Sequence, residues 1–94
     1  MGTRRTLAAD AVSHADTYAV LRWRSRRGLL ELDVLLTGFL ERNYHAMSAR
    51  ERSAFARLLE HGDAELLEWL LGRAMSERPE LRDLVQRIRA CAMP

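Results

Sequence analysis

The stretch Leu29-Leu-Glu-Leu-Asp-Val-Leu-Leu-Thr-Gly-Phe-Leu-Glu-Arg-Asn-Tyr44 decides the fold. Within it Leu29, Leu32, Leu36, Phe39 and Leu40 fall at offsets of three, seven, ten and eleven, a single apolar stripe with the period of an α-helix. Glu31 lies off that stripe. One amphipathic helix cannot bury its own apolar face, so others must pack against it.

Downstream, Ser48-Ala-Arg-Glu51 reads as a capping box that starts a third helix at Ala49, with Phe55, Leu58 and Leu59 inward and Gly62 as its left-handed C-terminal residue. Asp63 then caps a fourth helix, in which Leu66, Leu67, Leu70 and Leu71 form the stripe, Trp69 sits at its edge and Gly72 ends the run. Residues 73–78 lead to Pro79, which suits the first turn of a fifth helix whose inner face is Leu81, Leu84, Val85 and Ile88. Upstream, Asp16 or Thr17 caps a short first helix running to about Arg26, with Val20 and Trp23 inward, and Gly28 stops it. The expectation is an all-α protein, a compact bundle of five short helices over residues 16–90, with no strand candidate.

The 94 residues make one domain, and a chain of this size buries only about 60–65% of its unfolded surface, which disfavours a deep catalytic cleft. Residues 91–94 read as a C-terminal tail and 1–15 as a disordered one; Arg4, Arg5 and the alanines raise a transit peptide as an alternative, against which stands Asp10. All 15 basic residues are arginine, yet the net charge is only +2 and acids are mixed among them, which opposes a phosphate-tracking surface. The lone Cys91 has no partner within the chain and reads as an inert, buried or half-buried thiol in a reducing, cytoplasmic setting. No apolar run approaches a membrane span.

Chemical motifs are absent. His14, His45 and His61 have no partner at metal-ligand spacing, and neither a phosphate loop nor a dinucleotide fingerprint occurs, so no metal or cofactor site is expected. The third and fourth helices resemble a helix-turn-helix in spacing, but the second of them begins Asp63-Ala-Glu-Leu-Leu-Glu68, which phosphate would repel.

Attention falls on the corner Arg27-Gly-Leu-Leu-Glu31, just ahead of the decisive helix. By spacing alone, Arg27 and Glu31 pair with each other for about 0.3–0.5 kcal/mol while Gly28 ends the first helix. The string from Trp23 through Gly28 and Glu31 to Asp33, followed by Phe39-Leu-Glu41, Tyr44, Phe55-Ala-Arg-Leu-Leu-Glu60 and Asp63 to Leu70, resembles the SdhE/YgfY family. Its members are the small flavinylation or assembly factors of succinate dehydrogenase, whose mitochondrial relatives are called succinate dehydrogenase assembly factor 2. The resemblance implies a five-helix, non-enzymatic protein, monomeric when free and cytoplasmic in bacteria. Its implied partner is the flavoprotein subunit of succinate dehydrogenase, or of fumarate reductase, and it promotes covalent attachment of FAD to a histidine there. It implies Arg27, Gly28 and Glu31, with Asp33 as an extension, as partner-binding residues, and assigns FAD to the client. An antitoxin acting against a membrane-associated toxin and nucleic-acid binding through Arg22 to Arg27 are the competing readings.

Overall fold

The computed structural model describes residues 18–92, which are mainly helical and contain no strand. Helix α1 covers residues 18–24, α2 Leu30–Asn43, α3 Ala49–Leu58, α4 Asp63–Leu70 and α5 Pro79–Ala92, with a single 3-10 turn, Tyr44–Ala46, extending α2. The expected all-α bundle of five helices is what forms. Residues Asp16 and Thr17, and the N-terminal segment as a whole, lie outside the described residues.

Helix α2 buries Leu32, Leu36, Phe39 and Leu40, so its stripe is the one the spacing predicts, less Leu29. Leu29 is instead the extended residue that precedes the helix, and it is exposed. Helix α5 contributes Leu81, Leu84, Val85 and Ile88 and packs against α2, α3 and α4 together, which makes it the closing element of the core. At the centre, the rings of Phe39 and Phe55 lie nearly parallel with centroids 6.1 Å apart. Both rings are fully buried, a geometry that adds to the transfer of their area from water.

The capping box forms as expected. Ser48 Oγ accepts from the Glu51 N–H at 3.1 Å, while Glu51 Oε1 accepts from the Ser48 N–H at 3.1 Å. Glu51 also receives Arg87 from α5 through its other oxygen, so the start of α3 is tied across the bundle. Arg52 donates to the Tyr44 carbonyl at 2.9 Å and lays its guanidinium 4.0 Å from the centre of the Tyr44 ring.

Several expectations are corrected. The buried residues here are Leu21 in α1 and Ser25 just after it, not Val20 and Trp23, which are exposed. Two helical turns supply too few repeats to set a phase, and the choice is made by docking on α2, where Tyr18 meets the Tyr44 ring at 4.8 Å and Arg22 pairs with Glu41 at 2.7 Å. The helix also ends at residue 24 rather than near Arg26. Gly62 is not left-handed: its φ of −72° and ψ of 159° make it the extended residue preceding α4, and Asp63 is the first helical residue instead of the cap. In α4, Trp69 is buried and Leu71 exposed, because Leu71 lies beyond the last helical turn, where helical spacing no longer applies. Cys91 is exposed, and α5 continues through Ala92, two residues into the segment expected to be tail.

Gly72 does end α4 in the left-handed region, at φ 79°. The Arg73 N–H bonds to the Glu68 carbonyl at 2.8 Å and the Gly72 N–H to the Trp69 carbonyl at 3.0 Å, the paired bonds of a Schellman motif.

Replacing Ser48 with Ala is expected to lower stability by about 1 kcal/mol. Phe55→Ala, which opens the centre of the core, should cost about 3–5 kcal/mol. Urea unfolding followed by far-ultraviolet circular dichroism measures both.

Candidate functional site

The chain between α1 and α2 is short, and Ser25 and Arg27 hold its geometry. Ser25, fully buried, donates its hydroxyl to the Leu21 carbonyl at 2.7 Å, the same oxygen that accepts the Ser25 N–H at 2.9 Å. The Arg27 N–H donates to Asp33 Oδ1 at 2.5 Å, so a carboxylate on the first turn of α2 reaches back and fixes the loop. Gly28 follows at φ 86°, a conformation that costs other residues about 1–2 kcal/mol, and a Cβ there would meet nothing within 4 Å.

The side chain of Arg27 goes inward to the turn between α3 and α4. Its Nε donates to Asp63 Oδ1 at 2.7 Å, Nη1 to the Leu59 carbonyl at 2.8 Å, and Nη2 to the His61 carbonyl at 2.7 Å. Leu59 and His61 follow the C-terminus of α3, where carbonyls lack helical partners and the helix dipole is negative, so a planar fork of donors is well matched there. Only 16% of the Arg27 side chain remains exposed. His61 supports the same turn through its ring, with Nδ1 2.9 Å from Glu65 Oε1 and its centroid 4.8 Å from that of the Trp69 ring in an edge-to-face arrangement.

Glu31 has a different environment. It is exposed on the first turn of α2, with no hydrogen bond or ion pair of its own among the described residues. Its charge still reaches the Arg73 guanidinium, which is held above its ordinary pKa first by the hydrogen bond and charge of Glu68 and, less strongly, by Glu31. The Arg27–Glu31 pair expected from spacing does not form: Arg27 lies before α2, and its carboxylate partner is Asp63, 36 residues away.

The four residues singled out from the sequence thus occupy one corner but differ in what they touch. Arg27 and Asp33 hold the loop, Gly28 shapes it, and Glu31 faces solvent. Sequence reasoning missed Asp63 and the Leu59 and His61 carbonyls, and it misplaced Trp23, which stands 73% exposed beside this corner. Trp23, Arg24, Arg26, Arg27 and Asp63 line an open depression of about 530 Å³. A larger groove of about 730 Å³ runs between α3 and α5, and two of its three arginines, Arg57 and Arg87, face Glu80 and Glu51. Among the described residues, no helix is long and apolar enough to cross a membrane.

Fold and corner together define a small all-helical protein that presents a rigid, charged loop in place of an enclosed cleft. Over residues 19–92 the chain matches the family described as the flavinator of succinate dehydrogenase, and it belongs to that family. It is 42% identical over 76 residues to the FAD assembly factor SdhE of Shewanella oneidensis, covering 81% of this chain and 93% of that relative. The FAD assembly factors SdhE of Pseudomonas aeruginosa and Coxiella burnetii are 41% and 38% identical, each over 72% of this chain and over 81% and 83% of their own lengths.

Arg27→Ala is expected to lose about 2–3 kcal/mol of stability, since it removes charge-assisted bonds and leaves two carbonyls and Asp63 without their donor. Arg27→Lys should recover less than half, because an ammonium cannot span three acceptors. Glu31→Ala should fall within about 0.5 kcal/mol of the parent. Chemical denaturation of the three variants separates these outcomes.

Proposed function

We propose that this protein is an assembly factor that binds the flavoprotein subunit of succinate dehydrogenase, and that of fumarate reductase, and promotes the covalent attachment of FAD to it. The observation that carries the reading is the exposed Glu31 on a corner made rigid from within, in a chain of the flavinator family. Glu31 and Gly28 form the contact surface. Arg27 and Asp33 serve it by fixing the loop, so the corner is already in its bound shape and little ordering entropy is lost when it docks.

The chain itself performs no bond-making step in this reading. Bond formation is supplied by the flavin and the client, and the assembly factor holds the client in a shape that brings the two reacting groups together, an orientation effect. Gly28, without a side chain, lets the client backbone come close, and the ionised Glu31 accepts hydrogen bonds from it. FAD stays with the client throughout. The protein acts as a cytoplasmic monomer in this scheme and exchanges between free and client-bound forms.

Covalent flavin on the denatured flavoprotein subunit, read by in-gel fluorescence after expression with this protein, without it, or with its variants, tests the proposal. Wild type should raise the signal, while Glu31→Ala and Gly28→Arg should leave it at the level of the client alone. Gly28→Arg should keep its helical dichroism, given the open space at that position and a strain of only about 1–2 kcal/mol. Equal fluorescence in every lane would sink the assembly role. Loss of helicity in both variants would move the corner from docking to folding.

A further inference from the structure

An indole as exposed as that of Trp23 is uncommon on a small protein, because it leaves a large apolar area in water. Its surroundings make it more than an isolated case. It borders the depression whose other walls are Arg24, Arg26, Arg27 and Asp63. Arg27 and Asp63 satisfy each other at 2.7 Å, which takes the one carboxylate of the depression out of play. Arg24 and Arg26 have no ion pair or side-chain hydrogen bond among the described residues. In the groove between α3 and α5 two of the three arginines, Arg87 and Arg57, already hold Glu51 and Glu80, and Asp83 lines it beside the third, Arg50.

We propose that Trp23, with Arg24 and Arg26 beside it, is a second docking element that anchors an acidic surface segment of the client flavoprotein. The inference rests on the assembly-factor reading and extends it beyond the Arg27 to Glu31 corner. Exposed Trp and Arg are the residue types that dominate binding energy when they become buried at an interface, and here they are adjacent on a rigid support. The charge left over is positive, so the complement is carboxylate, which guanidinium binds through paired hydrogen bonds. The indole is covered by an apolar side chain or aliphatic stem of the same segment.

A nucleic acid fits this surface less well. Phosphate-tracking needs a continuous positive field, and Glu65 at the start of α4, with Glu31 on α2, interrupts it. Arg22 is also unavailable, being paired with Glu41. An enclosed small ligand is disfavoured by the openness of the depression, which leaves most of any such molecule in solvent.

Titration calorimetry of the purified flavoprotein subunit against wild type, Trp23→Ala, Trp23→Phe and the double reversal Arg24→Glu/Arg26→Glu tests this at low and moderate salt. Trp23→Ala should weaken binding at least about 30-fold, and Trp23→Phe much less. The double reversal should weaken it about 10-fold or more at low salt and remove most of the salt dependence. All should melt close to the wild-type temperature, since these side chains make few internal contacts; if Trp23→Ala does not fold, the charge reversal decides.

Wild-type affinity in Trp23→Ala and in the double reversal, alongside lost binding in Glu31→Ala, would overturn the second docking element and leave the assembly reading standing. No binding by wild type would remove both. A single-stranded oligonucleotide that competes with the client for the Trp23 surface would overturn the assignment to a protein segment, as would dimerisation of this chain that Trp23→Ala abolishes.

Discussion

The guanidinium of Arg27 joins two parts of the chain that have no other reason to meet. It leaves the loop before α2, enters the turn between α3 and α4, and gives its hydrogens to the Asp63 carboxylate and to the carbonyls of Leu59, His61 and, at 3.3 Å, Arg24. Carbonyls that follow a helix C-terminus carry partial negative charge and need donors, and the planar fork meets several at once. The exposed part of the corner depends on that buried contact, because Gly28 and Glu31 follow directly in sequence and inherit the position of Arg27. Asp33 completes the constraint from the other side by accepting the Arg27 N–H.

Behind this corner the core is small, and its coherence comes from α5. By packing on α2, α3 and α4 it closes a bundle whose other helices are short and individually weak. Charged groups link the same elements: Glu51 caps α3 and receives Arg87 from α5, so helix initiation and helix packing share one carboxylate. Exposed pairs such as Arg22 with Glu41 add little energy, but they bias how α1 lies on α2.

The surface divides in a way that fits a docking protein. Around the corner, Arg27, Asp33 and Asp63 are engaged with one another or with main-chain groups, while Glu31, Arg24, Arg26 and the Trp23 indole have no side-chain hydrogen bond or ion pair among the described residues. Leu30 and Val34, 78% and 60% exposed, extend the apolar area along the outer face of α2. Exposed apolar area of this kind is what a protein-binding surface offers.

Sequence alone determined the helices of this protein. Capping at Ser48 and Glu51, the left-handed Gly72, Pro79 at a helix start and the long stripes of α2 and α5 are local chemistry or repeat over enough turns to set a phase. It also located the corner, through the glycine before α2 and the string of residues that resembles a known family. What only the tertiary structure decided was which groups meet across distance. Arg27 chose Asp63 over Glu31 because the loop holds it outside α2, where helical spacing does not apply. Trp23 turned outward because a two-turn helix takes its phase from the surface it docks on, and Gly62 is the extended residue ahead of α4 in a turn that Arg27 closes from outside. Such choices depend on contacts between residues some 19 to 36 positions apart, and no periodicity in a single sequence encodes them.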